Sequence, residues 1–334
     1  YLVEKIAMPQ NYQQLVSQDL LTEYCYKKAK LTKALENPQS VEFDMLYALV
    51  AKEMAKVNPP LIIPYVEFCI SAQCTLKCRD CANFMQHYQG KAKPMDLEAV
   101  KSWIVAFVES VDHIMTLRLM GGEPLMQKDF TKLFEFVLTL PKIQHIQIVS
   151  NATLMPKDDL LALMANNTKC SFFFSNYGSK LAPKYDAIVK HCLDHGVLVQ
   201  STPDDISWFD MGDTHDRHLS DEQKAVVYQN CPNNCRHVWN GEFHHCPRSA
   251  HAKYLGLIEV PEQDYVPLLE LDSATRRERI RKMYDAPFIE ACNHCSLSKE
   301  ELKLVPCAVQ VTTQRPKATA NKNASTKRSN NKRK

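Results

Sequence analysis

The run Ile62-Ile63-Pro64-Tyr65-Val66-Glu67-Phe68-Cys69-Ile70 leads straight into Ser71-Ala72-Gln73-Cys74-Thr75-Leu76-Lys77-Cys78-Arg79-Asp80-Cys81. The first nine residues are rich in β-branched and aromatic side chains and predict a strand. A loop follows, with three cysteines at spacings of four and three. Thiolates set so closely can converge on one metal centre. A structural zinc site is the alternative, but it takes four ligands, and no fourth has an obvious local claim. Three thiolates instead suit a four-iron cluster with one iron left free of protein, able to bind a small molecule.

Outward from this loop the chain alternates between short apolar strands and amphipathic helices. Leu97, Val100, Ile104, Phe107, Val108 and Val111 recur at helical period, and His113 to Met120 reads as a second strand. A helix around Phe130, Leu133, Phe134 and Val137 precedes a third strand marked by Ile143, Ile146 and Ile148. Asp158 to Met164 is helical, Ser171 to Ser175 is a fourth strand, Lys184 to Leu193 is helical, and Gly196 to Gln200 is a fifth strand. A sixth is expected somewhere in 201–225. Such alternation predicts right-handed parallel β–α units. The chemically suggestive stretches, 74–81, Gly121-Gly122-Glu123-Pro124, Ser150-Asn151 and Ser175-Asn176-Tyr177-Gly178, each follow a strand's C-terminal end. That is the edge at which a β/α barrel builds its active site.

The cysteine triad together with Gly121-Gly122-Glu123-Pro124 resembles the radical S-adenosylmethionine (SAM) superfamily. The resemblance implies an α/β fold, a partial (β/α)6 TIM-like barrel. It also implies that Cys74, Cys78 and Cys81 hold a four-iron four-sulfur cluster whose remaining iron is chelated by SAM. Gly121, Gly122 and Glu123 would receive the SAM amino group, and glycines would let backbone approach the ligand closely. Ser150-Asn151-Ala152-Thr153 resembles a turn found after the third strand in many relatives. Asn151, Ser175 and Asn176 are therefore candidate SAM contacts, although polar residues at strand ends also serve as plain helix caps. Asp80 departs from the family, which often has an aromatic residue before the last cysteine.

Six of the 13 cysteines lie between 231 and 307. The order Cys231, Cys235, Gly241, Cys246, Cys292, Cys295 resembles the shortened SPASM module called the twitch domain, which holds one auxiliary four-iron cluster. Either Cys231 or Cys235, with Cys231 favoured, would complete a four-thiolate set with Cys246, Cys292 and Cys295. A zinc-ribbon-like site is the alternative. Gly241 suits a tight hairpin turn at positive φ. Cys307 is left over, and Cys25, Cys69, Cys170 and Cys192 read as small buried apolar residues. The resulting division is a helical extension over 1–60, a radical SAM core over 61–225, an auxiliary-cluster domain over 226–307 and a basic tail over 308–334.

The resemblance implies an enzyme that takes one electron from a donor such as flavodoxin or ferredoxin. It would cleave SAM to a 5′-deoxyadenosyl radical and abstract hydrogen from a substrate C–H bond. With help from the auxiliary cluster it would oxidise the product radical, on a carbohydrate or similar small metabolite. Peptide maturation is the second reading, and a non-catalytic or nucleic-acid-associated protein the third. His244, His245, Arg248, Tyr177 and Trp208 are candidates to face substrate, the first two and Tyr177 as candidate catalytic groups.

The chain has 334 residues and a net charge of +3. Residues 311–334 carry eight basic residues and no acid, so the remainder nets −5. A tail of that composition cannot bury enough apolar surface to offset its ordering entropy. It is expected to solubilise rather than to bind nucleic acid. No apolar run reaches the roughly 18 to 20 residues that cross a bilayer, so no membrane insertion is expected. Thirteen cysteines in a chain without a recognisable signal peptide favour metal binding over disulfides and a cytoplasmic setting.

Overall fold

The computed structural model describes residues 60–88, 90–204, 206–231, 235–296 and 303–311. The expected helical extension over 1–60, with Cys25, and the basic tail lie outside these residues, apart from Pro60 and 308–311.

Five parallel strands form the heart of the molecule: β1 (Ile62–Cys69), β2 (His113–Met120), β3 (Ile143–Ser150), β4 (Cys170–Phe174) and β5 (Val199–Ser201). They stand in the order β5-β4-β3-β2-β1. Helices α1 (Leu97–Ser110), α2 (Phe130–Leu138), α3 (Asp158–Met164) and α4 (Tyr185–Asp194) connect them. The first four strands and the four crossovers fall where the apolar period places them, within a residue or so, while the fifth strand, expected over Gly196 to Gln200, lies at Val199–Ser201. Asp96 starts α1 by accepting from the Ala99 N–H at 3.1 Å, and Val100, Ile104, Phe107 and Val108 turn inward.

The two faces of the sheet differ. Val66, Phe68, Leu117, Leu119, Ile146, Ile148, Phe172 and Phe174 alternate along the strands and are buried in one apolar core with the helices. On the other face, register brings Glu67, Arg118, Gln147 and Ser171 into one row. Arg118 donates to Gln147 at 2.6 Å and to the Tyr65 hydroxyl at 2.6 Å. Gln147 in turn donates to Gln200 at 2.8 Å. One face of the sheet is thus polar and the other apolar.

The sixth barrel strand is a correction. The segment 201–225 does supply a strand, β6 (Ser207–Phe209), but it joins β10 (Leu304–Pro306) in a separate antiparallel pair. The free edge of β1 is taken instead by β7 (His237–Trp239), parallel in the register Glu67↔His237. Strands β8 (Glu242–His244) and β9 (Tyr265–Pro267) continue from it antiparallel. The sheet runs from β5 to β9 and stays open. Asn240 and Gly241, at φ 50° and 79°, make the tight β7–β8 turn that needs two positive φ values.

Two further helices, α6 (Pro247–Tyr254) and α7 (Ser273–Asp285), clamp this end of the sheet, and α5 (Asp221–Asn230) precedes β7. Buried Arg276 of α7 reaches Ser110 of α1 at 2.7 Å and the Leu268 carbonyl at 2.9 Å, so its charge is not stranded. Among the described residues, no helix is long and apolar enough to cross a membrane.

Candidate cluster and cofactor site

The two glycines of the second motif are explained by a contact between loops. The Gly122 N–H donates to the Ser71 carbonyl at 2.9 Å and the Glu123 N–H to that of Gln73 at 2.8 Å. A Cβ on Gly122 would lie 2.3 Å from the Gln73 oxygen and 2.7 Å from Cys74 Cβ, and one on Gly121 2.6 Å from the Ser71 oxygen. Only glycine permits this approach. The motif therefore positions the cysteine loop itself.

Glu123 is buried and ties the turn to the end of β3. Its carboxylate accepts from the Leu125 N–H at 3.1 Å, the Asn151 N–H at 2.8 Å and the Ser150 hydroxyl at 3.0 Å. Burial pushes its pKa up to about 7, against the pull of these donors. Its ordinary value is 4.5, so between those limits the folded chain holds a proton that the unfolded chain has released. This contribution to stability is present below about pH 4.5 and is lost as pH rises through about 7, a fall of ~3 kcal/mol. Unfolding free energies measured from pH 4.5 to 8 should show that slope for the native chain and lose it in Glu123→Gln.

The three thiols of the loop each meet hydrogen-bond donors. Cys74 Sγ accepts from the Leu76 N–H at 3.4 Å and from Asn151 Nδ2 at 3.7 Å. Burial pushes Cys81 up against the pull of the backbone N–H groups of Met85, Asn83 and Phe84. Cys78 Sγ accepts from Gln310 Nε2 at 3.3 Å. Burial, with the neighbouring anionic groups, pushes Cys74 up to about 12 and Cys78 to about 11. Donors converging on three crowded sulfurs fit a group that holds them as thiolates.

The Gln310 contact comes from the chain's C-terminal segment. Beyond β10, Val309 and Val311 exchange backbone hydrogen bonds with Arg79 and Lys77 at 2.7 and 2.8 Å. The Lys77 N–H donates to Gln310 Oε1 at 2.7 Å. This strap carries Cys307 close to Cys78. Nothing in the spacing of the cysteines signals it, because Gln310 lies 232 residues from Cys78.

A cavity of about 350 Å³ opens at the C-terminal ends of the parallel strands. Cys74, Cys78 and Cys81 line it together with Gly121 and Gly122 after β2, Ser150 and Asn151 after β3, and Ser175 and Tyr177 after β4. Trp208 of β6 closes one side, edge-on to Tyr177 with ring centroids 5.6 Å apart. Glu123 lies beneath this surface. Asn176 instead turns its carboxamide to the Gly178 N–H at 3.0 Å.

His244 and His245 do not line the cavity. His244 is wholly buried between Ser249 and Glu242, each at 3.1 Å, and stacks on Tyr265. His245 meets the Tyr228 hydroxyl at 3.1 Å, and burial holds its pKa well below the ordinary range. Arg248 donates to the Gly212 carbonyl at 3.1 Å.

The second set of cysteines gathers in an apolar pocket apart from the first. Cys231, Cys246, Cys292 and Cys295 pack with Val227 and Ile289. Cys246 caps α6, its sulfur accepting from the Ser249 N–H at 3.3 Å. Burial, then repulsion from Cys231 and Cys295, pushes Cys246 up to about 12. Cys235 is outside that apolar group and also feels Glu67 and Arg118. Four thiols in one pocket offer the donor set of a second cluster.

A family model described as the Radical SAM superfamily matches residues 68–175. The GTP 3′,8-cyclase of Stenotrophomonas maltophilia (strain K279a) is 26% identical over 94 residues, and that of Haemophilus influenzae (strain ATCC 51907 / DSM 11121 / KW20 / Rd) is 31% identical over 97. Each match covers 28% of this chain and 28% of the relative. Among solved structures, BtrN in complex with AdoMet and 2-DOIA is 16% identical at a TM-score of 0.42, covering 73% of this chain and 98% of that one. SuiB of Streptococcus suis is 20% identical at a TM-score of 0.35, covering 54% and 43%. The likeness to the radical SAM superfamily thus rests on residues 68–175, and the chain spans less than a third of the length of these curated relatives.

Proposed function

We propose that the chain is a radical SAM oxidoreductase with two four-iron clusters, acting on a carbohydrate or similar small metabolite. One observation carries the proposal: three cysteines, the Gly121-Gly122 turn and the polar ends of β3 and β4 line one cavity of about 350 Å³. That volume is in the range of pockets that enclose a small cofactor. Cys74, Cys78 and Cys81 would hold the first cluster, and Cys231, Cys246, Cys292 and Cys295 the second. A cluster and SAM held there would supply one-electron radical chemistry able to act on an unreactive C–H bond.

The protein's own part is orientation and exclusion of water. Asn151 and Ser175 would bind polar groups of SAM, since both face the cavity at strand ends. Tyr177 and Trp208 shield it on the β6 side. A flavodoxin- or ferredoxin-type protein would deliver the electron.

Gln310 would tune the first cluster. Hydrogen bonds to cluster sulfur raise reduction potential by offsetting negative charge. Gln310→Leu should therefore lower the midpoint potential of the first cluster without changing iron content, in a redox titration followed by electron paramagnetic resonance (EPR).

The proposal as a whole is tested by metal content and EPR of anaerobically reconstituted protein. About eight irons per chain and two cluster signals are expected, one of which disappears in Cys292→Ala/Cys295→Ala. A single signal unaffected by that double substitution overturns the second cluster.

A further inference from the structure

Behind the cysteine loop, Cys69, His237 and His251 bring one sulfur and two ring nitrogens within 4.8 Å of one another. The three come from the end of β1, from β7 and from α6, and all are almost fully buried. The two imidazoles meet Nε2 to Nε2 at 3.1 Å. Bonds of about 2.0–2.1 Å to one tetrahedral ion would set two such nitrogens about 3.3 Å apart. We propose that Cys69, His237 and His251 form a three-ligand zinc site beside the first cysteine set, built from β1, β7 and α6 with its fourth position open.

The surroundings of the two histidines support it. A metal-bound histidine usually engages its other nitrogen with a carboxylate, carbonyl or water, which fixes the tautomer. His237 Nδ1 lies 3.1 Å from Glu67 Oε2, and His251 Nδ1 lies 2.7 Å from the Tyr88 hydroxyl. Both outer nitrogens are therefore held, and both inner ones face the same point. Trp239 and Tyr88 flank the His251 ring, with centroids at 4.9 and 5.8 Å, and fix its plane.

Charge and donor chemistry select the ion. A thiolate at Cys69 and the buried Glu67 carboxylate would both favour a dication, although Arg118 also lies 3.8 Å from that carboxylate. Binding costs the Cys69 thiol its proton, while His251 keeps one by moving it from Nε2 to Nδ1, toward Tyr88. One sulfur and two imidazoles suit zinc, with a fourth tetrahedral position left open. A second trio, Asp158, His191 and His195, also comes together, but at the surface, with Asp158 86% exposed.

The test is metal analysis of the full chain with its clusters reconstituted, after zinc addition and gel filtration. One zinc per chain is expected in the native protein. Cys69→Ala should lose that zinc and keep its iron. Glu67→Gln and Tyr88→Phe retain all three ligands and should weaken zinc binding by about 10- to 100-fold. Cobalt in place of zinc should give a thiolate-to-metal charge-transfer band in the native chain that Cys69→Ala lacks. No zinc retained by the native chain, or equal zinc in the native chain and Cys69→Ala, overturns the site. The zinc readout is separate from SAM cleavage and from iron content, so it fails or succeeds independently of the proposed reaction.

Discussion

Cys78→Ala is expected to abolish 5′-deoxyadenosine formation and to lower iron from about eight to about four per chain. The loop offers no replacement thiol in the sequence 74–81, and its geometry is set from three sides. Met120 holds the end of β1, the Gly121-Gly122 turn holds residues 71–73, and the 309–311 strap holds residues 77–79. Cys307 sits near Cys78 on that strap. Measuring iron in Cys78→Ala and in Cys78→Ala/Cys307→Ala shows whether it can substitute; equal loss in both is expected. The second cluster's EPR signal should persist, since its cysteines lie in a different apolar group.

Gly122→Ala is expected to be nearly as damaging, by steric means alone. The new methyl would run into the Gln73 carbonyl, at 2.3 Å from its oxygen and 2.6 Å from its carbon. Backbone cannot swing aside as a side-chain tip can. Overpacking of this kind costs about 1–3 kcal/mol, and a clash with main chain belongs at the upper end. The melting temperature should fall by about 6 °C or more, and the displaced Cys74 should slow cluster loading. Gly256→Ala provides the comparison. It has positive φ but nothing within 4 Å, so it isolates the conformational cost of about 1–2 kcal/mol. Calorimetry and iron content of the two variants side by side check the argument; equal iron in both would refute it.

The core was readable in the sequence because its signals are local. Val66, Phe68, Leu117, Leu119, Ile146 and Ile148 alternate at strand period, and the helix between β1 and β2 carries its apolar residues at helical period. The parallel order follows from those crossovers. The two short strands were different. Ser207–Phe209 and His237–Trp239 span three residues each, too few for any period, and their partners lie far away in the chain. Pairing of Glu67 with His237 is decided by tertiary packing across 170 residues.

The candidate site divides in the same way. The cysteine loop and the glycine turn carry their message in tight spacing. The reason for the glycines did not follow from spacing, because the atom they make room for is the Gln73 carbonyl. Gln310 and the trio of Cys69, His237 and His251 have no spacing at all. Cys69 reads as a buried apolar residue until the fold sets two imidazoles beside it. Buried His244 and His245 stand next to Cys246 in sequence, yet the hairpin turns both away from the cavity.

The most direct measurement is product analysis of anaerobically reconstituted protein given dithionite and SAM. The account predicts 5′-deoxyadenosine and methionine in equal amounts, formed by the native chain and not by Cys78→Ala. Fully loaded protein that reduces normally and releases no 5′-deoxyadenosine would contradict it.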